Sequence, residues 1–78
     1  MKHITNLCDL PIGGSGTVQR ISAGGGLRTR LMELGLIEGT RVTCTGASPL
    51  GDPRAYLIRG AVIALRSEEA SNIKIGSD

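Results

Sequence analysis

Two cysteines and one histidine are the side chains of this chain best suited to metal binding or nucleophilic chemistry. Cys8 and Cys44 lie far apart and belong to no C-x-x-C pair, and His3 is the only histidine. A metal site would need a third and a fourth ligand, and a nucleophilic relay needs a histidine that the fold holds in place. His3 stands in a terminal segment, where order is least expected. The sequence therefore predicts no metal site, no cofactor and no catalytic residue, with Cys44 as a buried, reduced thiol.

The carboxylates and the glycine runs offer two other kinds of chemistry. The acidic residues Asp9, Glu33, Glu38 and Asp52 are scattered along the chain, which is typical of solvated surface charge. The three glycines at 24–26 precede a predicted helix, but no lysine follows them as a phosphate-binding Walker loop requires. Their N–H groups could still face an anion, although a flexible connector is the simpler interpretation. Neither feature predicts an enzyme.

Length and charge limit the class of protein further. The chain has 78 residues, nine basic and seven acidic side chains in interspersed order, and Tyr56 as its sole aromatic residue. We expect a single domain over 1–78. No apolar run approaches the roughly 18 residues that cross a bilayer, and the N-terminal segment lacks an apolar signal core. These features predict a cytoplasmic protein with no direct membrane insertion.

The balanced charge and the single aromatic residue argue against nucleic-acid binding.

The apolar pattern predicts short strands and one amphipathic helix. Leu27, Leu31 and Leu34 form one stripe at helical spacing, which predicts a helix over 27–34. Gly35 followed by Leu36 is the composition of a Schellman stop. Alternating apolar residues predict strands within 17–21, 41–45, 56–58, 62–65 and 73–75.

Turn residues connect these elements. The two prolines in 48–53 predict a surface loop, and Gly60 and Ala61 are predicted as the central residues of a hairpin turn. Val18 and Ile21 cannot face the same side of a regular strand, so we expect a bulge or an early strand end there. The segment 67–70 fits one helical turn with Ser67 as its cap. Five short strands and one helix predict a mainly β fold, a small barrel.

The order and spacing of these features resemble the FeoA family over almost the whole chain. The matching residues are Leu7, Cys8, Asp9, Leu10, Gly13, Gly14, Gly16 and Val18, then Leu27, Arg30, Leu31, Leu34, Gly35, Leu36, Gly39, Thr40 and Val42, then 48–53, 58–60 and 63–66, and finally Glu69, Ala70 and Ile73. The resemblance implies an SH3-like barrel. It also implies a small cytoplasmic accessory protein, recruited to the inner face of the membrane, that binds the GTPase region of a FeoB-type transporter and supports ferrous iron uptake. Transition metal ions are associated with the family, although no ligand set stands out in this sequence.

An adaptor of this kind needs a shaped surface rather than reactive groups. Two groups of residues are predicted to contact the partner: Arg28, Met32 and Glu33 on the helix, and Leu50, Asp52 and Tyr56 at the loop. For Met32, which lies outside the apolar stripe, two simpler interpretations stay open. It is either a lone exposed methionine, or a side chain that packs under the loop at Pro49.

A second function of another class fits the same residues. FeoA-like barrels also resemble the C-terminal domains of metal-dependent transcriptional repressors, which implies a freestanding interaction or regulatory module. Either kind of protein could self-associate, since a small core and unpaired barrel edges favour a homo-oligomer.

Overall fold

Six antiparallel strands form one sheet in the computed structural model, which describes residues 4–76. In chain order the elements are β1 (Ile4–Asn6), a 3-10 turn (Leu7–Asp9), β2 (Ser15–Ile21), α1 (Gly25–Glu33), β3 (Arg41–Ala47), β4 (Arg54–Ile58), β5 (Ala61–Leu65), α2 (Ser67–Ala70) and β6 (Ile73–Gly76). Neighbouring strands follow the order β1-β6-β2-β3-β4-β5. β1 and β5 are therefore the edges of the sheet.

The sheet surrounds one hydrophobic core. Its buried side chains come from β2 to β6, from both helices and from the segments that connect them: Leu7, Leu10, Val18, Leu31, Leu36, Val42, Cys44, Tyr56, Ile58, Leu65, Ala70, Ile73 and Ile75. In β3 the buried Val42 and Cys44 alternate with more exposed neighbours, as expected for a strand with one buried face. The predicted mainly β fold with one principal helix is confirmed, and Cys44 is a buried free thiol as predicted.

The predicted number of strands is wrong by one. β1 pairs with β6, with Ile4 opposite Gly76 and Asn6 opposite Lys74. Three residues are too few to show an alternating pattern, which is why the sequence did not indicate this strand. His3, which was expected to be mobile, lies outside the described residues. Within residues 4–76, neither helix has the length and apolar character needed to cross a membrane.

Helix α1 begins and ends close to the predicted residues. It starts at Gly25, two residues earlier than expected, and Gly24 at its N-cap supplies no side-chain hydrogen bond. At its C-terminus the Gly35 N–H donates to the Met32 carbonyl (3.0 Å) and the Leu36 N–H donates to the Leu31 carbonyl (3.1 Å). These two bonds define a Schellman motif. Leu36 is thereby brought into the core, and the predicted stop is confirmed.

Gly35 should tolerate a side chain poorly, whereas Gly26 should tolerate one well. The φ of Gly35 is +100°, and an added Cβ would lie 2.7 Å from Arg59 Cδ. Gly26 lies inside α1 with open space around it. We expect Gly35→Ala to lower the free energy of unfolding by about 1–2 kcal/mol, and Gly26→Ala to raise it by about 0.4–1 kcal/mol. Urea unfolding of both variants measures the two changes, and equal effects would contradict the assigned conformations.

The β4–β5 turn lies one residue earlier than predicted. Ile58 pairs with Ala61, so the central residues are Arg59 and Gly60, with φ values of +50° and +85°. Two consecutive positive φ values match a type I′ turn, whose twist suits a two-residue hairpin. Gly60 alone signalled the turn, and nothing in the sequence showed that Arg59 would also adopt a left-handed conformation. The irregularity predicted in β2 is confirmed as a register shift between Val18 and Arg20 against β6.

The cap of α2 also differs from the prediction. Arg66, not Ser67, is the N-cap residue, and its N–H donates to the Glu69 carboxylate (3.0 Å). The Ser67 N–H instead donates to Asp52 Oδ1 (2.8 Å), so a carboxylate from the 48–53 loop satisfies the start of this helix. A negative charge at this end is favourable because the first N–H groups of a helix lack intrahelical acceptors.

Candidate partner-binding surface

One exposed groove runs beside α1, and we call it the helix groove. It is lined by Arg20, Ile21, Arg28, Met32, Ile37 and Glu38 and has a volume of about 210 Å³. Met32 is 43% exposed, so this side chain is not buried under the loop at Pro49. The Arg28 Nη1 donates to the Ile21 carbonyl (3.1 Å), which fixes one wall of the groove. Two predicted contact residues, Arg28 and Met32, therefore line the same surface.

A second groove adjoins the first, and we call it the turn groove. It has a volume of about 470 Å³ and is lined by Ile37, Glu38, Gly39, Thr40, Arg41 and Arg59. Ile37 and Glu38 belong to both grooves, so the two form one continuous surface. Ile37 is 39% exposed at their junction. An exposed apolar residue between two concave surfaces is a typical position for a contact with another macromolecule.

Four arginines surround this surface, and we call them the arginine belt: Arg20, Arg28, Arg41 and Arg59. Glu38 is the one acidic side chain among the lining residues of the two grooves. Glu33, the third residue predicted on the helix, is exposed on α1 but lines neither groove. The sequence did not indicate the belt, because its members come from β2, α1, β3 and the β4–β5 turn and form no cluster along the chain.

The loop at 48–53 exposes two of the predicted contact residues, Leu50 and Asp52. Leu50 is 94% exposed at the tip. The loop is held by the Gly51 N–H, which donates to the Ser48 carbonyl (2.8 Å), and by the Ser48 hydroxyl, which donates to the Asp52 carbonyl (2.7 Å). The carboxylate of Asp52 is bound to the start of α2. The structure thus gives Asp52 a role in holding the loop.

Tyr56 is not an exposed residue, and this expectation is wrong. It lies on the inward face of β4 opposite Ile63 and Cys44, and its side chain is fully buried. The sole aromatic residue serves as the largest side chain of the core. Alternation along β4 places Tyr56 on the same face as Arg54 and Ile58, whereas Leu57 faces outward. Its ring is unavailable for partner contact.

A third concave surface shares Arg20 with the helix groove and extends across β1, β6 and β2. It has a volume of about 620 Å³ and is lined by Ile4, Thr5, Asn6, Asp9, Gln19, Arg20 and Lys74. The Lys74 ammonium donates to the Asn6 side-chain oxygen, which secures the edge strand.

Burial, with Asp9 next in importance, raises the pKa of the Cys8 thiol, so this cysteine is not activated as a nucleophile.

Metal-binding residues do not cluster in the part of the chain that the structure describes. Among residues 4–76, no three side chains of histidine, cysteine, aspartate or glutamate lie close enough to hold a metal ion. The concave surfaces described above lack a nucleophile paired with a base, and their chemistry is that of charge and apolar contact.

The six-stranded sheet is small and packs against one principal helix, α1, beside exposed grooves. This arrangement is that of an SH3-like domain. The crystal structure of Stenotrophomonas maltophilia FeoA complexed with zinc, described as a prokaryotic SH3 domain protein, superposes with a TM-score of 0.81 at 28% identity, covering 91% of this chain and 88% of that one. The NMR structure of a FeoA-like protein from Clostridium acetobutylicum superposes with a TM-score of 0.89 at 30% identity, covering 99% of this chain and 90% of that one.

The family follows from the sequence comparison. The model of the FeoA domain matches residues 5–76, and the chain belongs to the FeoA family. A Porphyromonas gingivalis protein, named a fusion of Fe(2+) transport protein A and the Fe(2+) transporter FeoB, is 32% identical over 69 residues. That alignment covers 88% of this chain but 8% of the fusion protein. A manganese-dependent transcriptional repressor shares the fold, with a TM-score of 0.87 at 23% identity over 44% of its length.

Proposed function

We propose that this protein is a non-catalytic accessory of ferrous iron uptake that binds the GTPase region of a FeoB-type transporter on the cytoplasmic side of the membrane. The observation that carries the proposal is the Porphyromonas gingivalis relative, in which a segment similar to this chain is part of the same polypeptide as the transporter. Fusion holds two modules at a high effective concentration. A separate chain of the same family would need a binding surface to achieve the same association.

The surface that best supports this role combines the helix groove with the exposed tip of the 48–53 loop. Both carry an exposed apolar side chain, Met32 and Leu50. The two regions are connected through α2, because Arg30 of α1 forms an ion pair with Glu69, and Asp52 of the loop accepts a hydrogen bond from Ser67. Because rigid elements hold both contact regions, little conformational entropy is lost there when the partner binds.

The binding surface can be tested by introducing a charge at each apolar contact. We expect Met32→Asp and Leu50→Asp each to weaken binding to the isolated GTPase region by about tenfold or more, because a carboxylate would be desolvated in the interface. Ile12→Asp is the matched control, since Ile12 is 60% exposed in the loop before β2 and belongs neither to the helix groove nor to the 48–53 loop. Titration calorimetry, without nucleotide and with a non-hydrolysable GTP analogue, measures the affinity.

Three results would bear on the proposal in different ways. Binding by both aspartate variants at wild-type affinity would contradict the assigned surface. No saturable heat from the wild-type protein in either nucleotide state would contradict binding to the GTPase region. Binding that is intact in the Ile12→Asp control and lost in the others would support the proposal, and Fe²⁺ uptake by cells carrying Met32→Asp should then fall in parallel.

The alternative function is a regulatory module of the kind found at the C-terminus of metal-dependent repressors. The shared fold with the manganese-dependent repressor supports it. This alternative predicts binding to a partner domain other than the transporter. It would gain support if the GTPase region gave no heat while a repressor fragment encoded beside this chain did.

A further inference from the structure

The positive charge of this protein is concentrated around one surface. Four of the nine basic side chains of the chain line the two adjoining grooves, against one of its seven acidic side chains. Since the chain carries a net charge of only +2, the remaining surface is close to neutral. Charge of one sign gathered at a concave surface attracts an oppositely charged partner and raises its association rate.

The centre of the same surface is apolar. Met32 and Ile37 are both about two-fifths exposed, and both line the helix groove. Methionine adapts its shape to a bound side chain because it is unbranched and polarizable. An apolar centre within a charged rim is the usual anatomy of a protein interface, in which the centre excludes water and the rim sets specificity.

We infer that the two grooves bind an acidic segment of the transporter's GTPase region, one that inserts a large apolar side chain between Met32 and Ile37 while its carboxylates face the arginine belt. The inference rests on the proposed function and adds the chemistry of the partner. Arginine suits this role because its planar guanidinium can bind a carboxylate through two parallel hydrogen bonds. Glu38, between the two grooves, disfavours acidic segments whose carboxylates fall at the centre rather than at the rim.

The same belt is less suited to nucleic acid. Single-stranded nucleic acid is bound by positive charge together with aromatic platforms on which bases stack. The sole aromatic residue, Tyr56, is buried in the core. The centre of the surface is aliphatic, which suits a protein side chain and offers no stacking platform. A protein segment is therefore the occupant that the observations favour.

The experiment reverses charge on both sides of the surface. Arg20→Glu and Arg59→Glu are combined in one variant, since each residue is exposed and they lie in different grooves. Arg66→Glu is the matched control, because Arg66 is an exposed arginine that lines neither groove. Binding to the isolated GTPase region is measured by surface plasmon resonance at low and at moderate salt, and thermal unfolding verifies that each variant is folded.

We expect the double variant to bind about 10–100-fold more weakly at low salt, mainly through slower association, while the control binds as wild type does. Wild-type affinity should fall as salt rises. Affinity that is independent of salt and unchanged in the double variant would overturn the inference but leave the proposed function standing, provided that Met32→Asp still weakens binding by about tenfold or more. A wild-type protein that does not bind at all would contradict both. A complex with single-stranded RNA in a low-salt shift assay, lost in the double variant, would also overturn the inference.

Discussion

The free energy of unfolding should fall by about 2 kcal/mol more in the wild-type protein than in Tyr56→Phe between pH 10 and pH 12. Burial, with the neighbouring Cys44 next in importance, raises the pKa of Tyr56 from 10.0 to about 12. The folded protein therefore keeps the phenolic proton at pH values where the unfolded chain has lost it. Below pH 10 both states are protonated and the contribution to stability is complete. Above pH 10 it is lost at up to about 1.36 kcal/mol per pH unit, until the folded state also ionises near pH 12.

Tyr56→Phe also tests whether the buried hydroxyl lowers the free energy of unfolding. The hydroxyl oxygen is buried and has no hydrogen-bond partner among the described residues. The Arg54 side chain is near enough to lower the pKa in part, but its Nη1 donates to two backbone carbonyls instead. Removing a buried, unsatisfied hydroxyl while keeping the ring should raise the free energy of unfolding at pH 7 by about 1 kcal/mol. A loss of stability in Tyr56→Phe would show that the hydroxyl has a partner.

Tyr56 reports its own ionisation, because the chain contains no other tyrosine and no tryptophan. The absorbance of tyrosinate near the red edge of the aromatic band should rise with a midpoint near pH 12 in the folded protein, and near pH 10 in urea. Coincident midpoints in the two states would contradict the buried position. The comparison with Tyr56→Phe isolates the contribution of the tyrosine to the pH dependence of stability.

The core and the helix could be predicted from the sequence because their signals are local. The stripe of Leu27, Leu31 and Leu34 and the following Gly35 determine α1 through contacts only a few residues apart, and the structure retains the stripe with the expected stop. Alternating residues likewise identified β3 and β6. The family resemblance rested on the same spacing, and it held over nearly the whole chain.

The errors arose where distant residues decide the local structure. Ser67 was assigned as a cap because nothing nearby suggested that Asp52, fifteen positions earlier, would accept its N–H. Tyr56 was assigned to the surface because a lone aromatic is common at interfaces, yet in a chain without tryptophan or phenylalanine it is also the best residue to fill the core. Of the residues predicted to contact a partner, Arg28 and Met32 line the helix groove, whereas Ile37 and three arginines of the belt became evident only when the sheet brought them together.

Arg54→Met should lower the free energy of unfolding by about 3 kcal/mol, which corresponds to a fall in Tm of about 12–24 °C for a domain of this size. The Arg54 Nη1 donates to the carbonyl of Cys8 (2.9 Å) and to the carbonyl of Leu10 (2.6 Å). One charged side chain thus fastens the 3-10 turn to β4, and its loss leaves two partly buried carbonyls without a donor. Thermal and urea unfolding measure the change.

Two further variants separate the hydrogen bonds from the charge of Arg54. Arg66→Met removes an exposed arginine side chain but keeps the backbone N–H that bonds Glu69 at the start of α2, so it should change the free energy of unfolding by less than about 0.5 kcal/mol. Arg54→Lys keeps the charge but not the reach of the guanidinium, so its stability should lie between those of Arg54→Met and the wild type. The positive charge of Arg54 also lowers the pKa of Tyr56. In Arg54→Met, the midpoint of tyrosine ionisation should therefore move to higher pH, whereas in Arg54→Lys it should stay close to that of the wild type. Equal stabilities of Arg54→Met and Arg66→Met would contradict a structural role for Arg54 at this junction.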